Sequence, residues 1–182
     1  MLIQPPTHDE GGFQQGYCVP AALSALTGMT AEAAGRILAA EVMGRRPEEV
    51  KGVRIHELLA ALRHLGYDYS VQSFGHLEQR PMRRRGWWGR LVSEDYVEGR
   101  FELRRVGRPT LARWLRERDS ATQDAPCLLS LSGVHLVVVQ GEDVADNIQG
   151  MVPTERSRYL RRRVARVVRI EGRTPAAGRQ AS

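Results

Sequence analysis

"VHLVVVQGEDVADNIQG", Val134 to Gly150, is the stretch on which the fold turns. A histidine heads an aliphatic run, Leu136 to Val139, and Gly141-Glu142 separates that run from a second short one beginning at Asp143. A short run rich in β-branched residues and bounded by turn residues reads as a strand. Glycine followed by a second turn residue is the chemistry of a two-residue type II′ turn, so the stretch predicts an antiparallel hairpin. With that turn Gln140 pairs with Asp143, Val139 with Val144 and Val137 with Asp146. "CLLSLS" before it and "RRRVARVVRI" after it read as further strands.

Towards the N-terminus the period changes. Pro20 to Thr27 predicts a helix with proline in its first turn and Gly28 as its stop. Thr30 is placed to cap a second helix, Ala31 to about Met43. In "RIHELLAALRHLG" the residues Ile55, Leu58, Leu59, Leu62 and Leu65 make one stripe, and Gly66 comes directly after it. "YDYSVQSF", Tyr67 to Phe74, alternates as a strand does. Thr110 is placed to cap a short helix, Leu111 to Arg118, with Leu111, Trp114 and Leu115 inward. "SATQDAP" reads as a loop, and the first dozen residues as an arm. Helices succeeded by an antiparallel sheet argue for an α+β fold with N-terminal helices packed on that sheet. The organisation expected is one domain over 1–170, with 75–108 as an insertion containing a strand from Arg100 to Val106. A flexible tail is expected over 171–182.

The composition bounds the function. The chain has 182 residues, enough for one domain with a real core. No apolar run approaches the roughly 20 residues that span a bilayer. The start, MLIQPPTHDE, lacks the charged and apolar regions of a secretory signal. The expected location is the cytoplasm, or the virion if the chain is phage-encoded. Net charge is +6, and Lys51 is the only lysine, so nearly all the positive charge is arginine. The densest basic segments are Arg83-Arg84-Arg85 and Arg161-Arg162-Arg163. Most such runs are solvated faces. An arginine-rich surface also admits acidic partners or nucleic acid, yet no nucleic-acid-binding motif accompanies it. Trp87 and Trp88, between arginines, suit either a loop anchor or base stacking. No Cys/His spacing points to a metal, and no cofactor is expected. His56 and His64 lie on the third helix without an assigned role.

Two cysteines remain, Cys18 and Cys127. Cys127 opens a core strand and reads as a small buried hydrophobe. Cys18, in "FQQGYCVPAALSAL", stands at the N-terminus of the first helix. A thiol attacks as thiolate, and a helix N-terminus or a nearby imidazolium lowers its pKa. His135 sits in an apolar strand, where a polar side chain needs a partner. Period-two alternation puts His135 and Val137 on one face, and Asp146 diagonally across on the same face, roughly 7 Å away at the backbone. A three-residue loop would flip the parity and offer Asn147 instead.

A cysteine opening an early helix, a histidine on a distant strand and an acid on the next strand together resemble the papain-like cysteine peptidase superfamily. The likeness is to its peptidase C39-like domains of bacterial and phage type. "GYCVPAALSALTG", "HELLAALRHLGY", "TLARWL" and "GVHLVVVQGEDVADN" carry it, spread over residues 14 to about 170. The resemblance implies a thiol hydrolase of peptide or amide bonds working through an acyl-enzyme. Cys18 would be the nucleophile, His135 the base and then acid, and Asp146 the orienter. It also implies an oxyanion hole from the Cys18 N–H and an upstream glutamine. That glutamine usually stands about six residues before the cysteine; the position here is Gly12, leaving Gln14 and Gln15 as candidates. The partner expected is a peptide or protein substrate, with no membrane. Two rival readings use the same residues: a papain-like fold kept for binding, as a virion or assembly protein, and a deamidase or acyltransferase.

Overall fold

The computed structural model describes residues 2–7, 18–47, 53–75, 77–85, 91–105, 107–132 and 135–174, with backbone alone over 77–105. The first helix, α1, spans Cys18–Thr27, and every residue from Val19 to Leu26 is buried. Pro20 costs it nothing, because first-turn N–H groups have no intrahelical acceptor. The second helix, α2, covers Ala31–Ile37; Thr30 caps it by accepting from the Ala33 N–H at 3.3 Å. The single α-helix expected to Met43 instead widens into a π-helix over Leu38–Met43, where the Gly44 N–H reaches five residues back to the Ala39 carbonyl. The third helix, α3, is Ile55–His64, burying Leu58, Ala61 and Leu62. His56 and His64 are exposed.

Six strands form one antiparallel sheet: β1 (Tyr67–Ser73), β4 (Cys127–Leu131), β5 (His135–Gln140), β6 (Asp143–Asp146), β7 (Gly150–Pro153) and β8 (Val164–Arg173). Their order is β1-β8-β4-β5-β6-β7. The β5–β6 register is Gln140 opposite Asp143, Val139 opposite Val144 and Val138 opposite Ala145. The two-residue turn at Gly141-Glu142 dictates that pairing. Gly141 has φ +54°, the left-handed backbone that primed hairpin turns need at this position and that a side chain disfavours.

The sheet is covered on both faces, so its central strands read as unbroken apolar runs. On one face Leu128, Leu136, Val138, Ala145 and Val168 pack against α1, α2 and α3. On the other, Cys127, Leu129, Val137, Val139 and Val144 pack against Trp114 and Leu111 of α4 (Leu111–Glu117), and against Tyr159. The α+β class and the packing of N-terminal helices on an antiparallel sheet are as expected; a helix on the second face is an addition.

Several segments differ from expectation. "SATQDAP" holds a short helix, α5 (Ser120–Asp124), because Asp119 accepts from the Thr122 N–H at 2.7 Å and caps it. The segment after Asp146 returns as β7, opposite β6, with Asp146 facing Gly150. Strand β8 begins at Val164 rather than Arg161 and runs past Ile170, since Gly172 and Arg173 pair with Asp68 and Tyr67. Residues 171–173 are therefore strand, not tail; 175–182 lie outside the described residues. Strands β2 (Leu77–Arg85) and β3 (Leu91–Arg105) form a separate two-stranded sheet, and β3 starts nine residues before the Arg100 expected. Trp87 and Trp88 lie outside the described residues. Among those described, no helix is long and apolar enough to cross a membrane.

Residues 2–7, part of the arm expected at the start of the chain, are strapped to the core. Ile3 enters the core, the Gln4 N–H donates to the Ala25 carbonyl at 2.9 Å, and the Thr7 N–H donates to Ser24 Oγ at 3.1 Å. Gln140 ties this strap to the sheet: its Oε1 accepts from the Ile3 N–H and its Nε2 donates to the Asp124 carbonyl, both at 2.8 Å. Removing a buried partner leaves these groups unpaired, at about 1–3 kcal/mol. Gln140→Leu is expected to lower the unfolding free energy by that amount in urea titration with unchanged slope. A change below about 0.5 kcal/mol, typical of an uninvolved surface site, would contradict the bridge.

Candidate active site

Cys18 is the first residue of α1, and α1 packs against β5 and β6. His135 is the first residue of β5. The two side chains line one pocket of about 70 Å³, walled mainly by Val53, Ile55, Leu58 and Leu136, with Ser130 and Arg54 also at its lining. Helix α3 supplies Ile55 and Leu58 to that wall.

His135 Nε2 donates to Asp146 Oδ2 at 2.9 Å. The Asp146 side chain is fully buried and the His135 side chain 16% exposed, so only the ring reaches solvent. The other carboxylate oxygen, Oδ1, accepts from the Ile148 and Gln149 N–H groups at 3.1 and 2.8 Å. Those two bonds fix the orientation of the carboxylate. Asp146, not Asn147, is the partner of the ring. Asn147 is buried as well, and its Oδ1 finds no hydrogen-bond partner among the described residues. With Nε2 committed to Asp146, Nδ1 is the ring nitrogen left over.

Electrostatics separate the two thiols. Burial pushes the Cys18 thiol up; the N–H groups of Leu136, Cys18 and Val19 pull it back in part, and the Asp146 charge pushes it further up. The helix terminus therefore does not depress this thiol by itself, contrary to the sequence expectation: desolvation outweighs it. Cys127 is pushed up to about 11 by burial, against the pull of Arg118 and Arg169. Its Sγ faces the Thr122 and Ala125 carbonyls, as a packed core thiol does. For Asp146, burial pushes up, yet the hydrogen bonds from His135, the Tyr159 side chain and the Gln149 N–H win, and the carboxyl lies below its usual range.

Sequence reasoning missed Tyr159. It is 7% exposed, and its ring centroid lies 4.6 Å from that of His135 with planes tilted by 34°. Only long-range packing brings it there. Its setting, "RSRYLRRR", carries no periodic signal. Gln14 and Gln15 lie outside the described residues, as do the side chains of Arg83, Arg84 and Arg85. Arg161, Arg162 and Arg163 are exposed. Among the described residues no cluster of three or more His, Cys, Asp and Glu is arranged to hold a metal.

No protein-family model matches the chain, and no curated protein matches it. A solved crystal structure of a double-glycine-motif protease from an AMS/PCAT transporter, in complex with its leader peptide, is similar at 13% identity. The likeness covers 93% of this chain and 92% of that one, with a TM-score of 0.46. At that identity and score, the chemistry of this chain rests on its own residues.

Asp146 gives a pH test. A carboxyl whose folded pKa is depressed stabilises the fold above the unfolded value of about 3.9, and that stability is lost as pH falls through the folded value. Asp146→Asn is expected to cost about 1.5–3 kcal/mol at pH 6, the range for a hydrogen bond to a charged group. The gap from wild type should shrink towards pH 2–3 in denaturant titrations. A gap that stays constant with pH would contradict an ionised, paired Asp146.

Proposed function

We propose that the chain is a papain-like thiol hydrolase that cleaves a peptide or amide bond. The observation that carries this reading is the buried His135–Asp146 hydrogen bond at 2.9 Å, its histidine lining one pocket with Cys18. A nucleophile, a base and an orienter are the parts acyl transfer requires.

In this mechanism Asp146 holds the imidazole in the tautomer with the proton on Nε2, which leaves Nδ1 basic. Nδ1 takes the proton of the Cys18 thiol. The thiolate forms as the partner of an imidazolium, which matters because burial disfavours it standing alone. Sulfur attacks the carbonyl carbon, and the developing oxyanion is met by the Cys18 N–H together with Gln14 or Gln15. His135 returns its proton to the leaving amine. Water then cleaves the thioester, with His135 again the base. The apolar wall of Val53, Ile55 and Leu58 suits an apolar side chain of a peptide substrate.

A second reading, a papain-like fold kept for binding or assembly, is favoured by the upward push of burial on the Cys18 thiol. On that reading Cys18→Ala keeps every function of the chain. Deamidation or acyl transfer would use the same three residues, and intact mass of a modified partner distinguishes each from cleavage.

Alkylation by iodoacetamide, with intact mass and peptide mapping as the readout, tests the hydrolase. Cys18 is expected to react at least about 10-fold faster than Cys127 at pH 7, and to stay reactive at pH 6. His135→Ala should slow Cys18 by about 10-fold or more at pH 7 and leave a rate that climbs only in alkali. Equal, slow modification of both cysteines in the wild type would overturn the activated thiol.

A further inference from the structure

We propose that the arginine-rich segment between β7 and β8, with Arg158, Arg161 and Arg162 foremost, docks acidic residues of a peptide substrate on the leaving-amine side of the cut bond. The inference rests on reading Cys18 and His135 as nucleophile and base. Most arginine runs are solvated faces; the fold gives this one a place.

Strand β4 ends at Leu131, β5 begins at His135 and β6 ends at Asp146, so one end of the sheet carries the site. Strand β7 leaves that end at Gly150 and reaches Pro153, opposite Asp143, at the far end. Residues 154–163 bring the chain back, because Val164 starts β8 opposite Leu131. The return is pinned beside the site. Gln149 Oε1, in the turn after Asp146, accepts from the Arg158 N–H at 3.4 Å. Ser132 Oγ, just after β4, accepts from the Arg163 N–H at 3.2 Å, and the Ser132 N–H donates to the Arg163 carbonyl at 2.8 Å. Between these ties the Arg162 N–H donates to the Tyr159 carbonyl at 2.8 Å and closes a turn. Charges on a backbone so fixed need little further ordering when a partner arrives.

Tyr159 links the segment to the proposed base. Its ring centroid lies 4.6 Å from that of His135, and the Arg158 guanidinium lies 5.7 Å from the tyrosine centroid. The charges of Arg158 and Arg162 both act on the phenol. From Glu155 to Arg163 the chain carries five arginines and one glutamate. All five arginines are exposed. Among the described residues no carboxylate forms an ion pair with any of them. The positive field is not cancelled locally, and it opens beside the imidazole.

Chemistry sets the side. In acyl transfer the acyl part stays on sulfur, and the amine leaves with a proton from the imidazole. The chain beyond the cut bond therefore passes His135, and the arginines lie beyond that ring. The acyl part is left with the apolar wall of Val53, Ile55 and Leu58. A peptide suits this face better than a nucleic acid, because base stacking needs an open aromatic face and Tyr159 is 7% exposed.

Alkylation of Cys18 by two iodoacetyl tripeptide amides, one of three glutamates and one of three glutamines, tests the charge without a known substrate. In about 20 mM salt the glutamate reagent is expected to modify Cys18 at least about 5-fold faster. In about 500 mM salt the two rates should converge, because screening then acts within roughly 4 Å. Arg158→Gln with Arg162→Gln should bring the low-salt ratio close to one. Arg158→Lys with Arg162→Lys keeps both charges and should restore it. Digestion of a proteome-derived peptide library should enrich aspartate and glutamate after the cut bond, and the glutamine variant should lose that enrichment. Equal rates in wild type at low salt, a ratio indifferent to the glutamine variant, or enrichment only before the cut bond would overturn the inference. So would equal peptide rates together with a single-stranded oligonucleotide held by wild type and released by the glutamine variant, the mark of a nucleic-acid face. Neutral iodoacetamide keeps the two claims apart. A Cys18 that it modifies fast, with equal rates for the two peptides, removes the acidic docking alone. A Cys18 that it modifies no faster than Cys127, with the library uncut, removes the hydrolase reading.

Discussion

One hydrogen bond, His135 Nε2 to Asp146 Oδ2, organises the far end of this molecule. It joins the first residue of β5 to the last residue of β6, two strands of one hairpin. Neither group tolerates burial there alone. An unpaired carboxylate would take up a proton, and an unpaired imidazole would lose a hydrogen bond it makes freely in water. Everything that fixes the register of the hairpin therefore fixes the site: Gly141 in its left-handed turn, the Val139–Val144 pairing, and the turn N–H groups that hold Oδ1.

The thiol is governed by a contest between two effects. Every residue of helix α1 from Val19 to Leu26 is buried, and Cys18 at its start is partly desolvated with them. Its N–H groups face the sulfur, but their pull is smaller than the desolvation they come with. A helix terminus is thus an orienting device here. The charge that stabilises a thiolate has to come from elsewhere; in the proposed mechanism His135, lining the same pocket, supplies it by taking the thiol's own proton. Cys127 is the internal control, a buried core thiol outside that pocket and, among the described residues, without an imidazole acting on it.

Local chemistry made much of this legible in the sequence. The Gly141-Glu142 turn dictates a register, and a register dictates which side chains share a face, so the pairing of His135 with Asp146 over Asn147 is a matter of parity. Caps behaved similarly: Thr30 and Thr110 each accept from an N–H three residues on. What stayed hidden depends on tertiary packing. Tyr159 lies 24 residues beyond His135 (the difference of the two numbers) in an arginine-rich segment with no period, and only the closure of β8 beside β4 brings it to the ring. Helix α4 on the second sheet face is hidden for the same reason. The extension of β8 through Arg173 hinges on β1 as a partner, since "EGR" by itself is polar and turn-like. The net push on Cys18 is not legible in the sequence, because a helix N-terminus is visible there and depth of burial is not.

The central claim is that Cys18 ionises as the partner of His135. Ultraviolet thiolate absorbance, taken as the difference between wild type and Cys18→Ser across pH, measures that state directly. The account predicts a Cys18 thiolate signal already present at neutral pH that persists into acid and vanishes at neutral pH in His135→Ala. A signal that rises only in alkali, above the free-thiol value of about 8.5, and is indifferent to His135→Ala would contradict it.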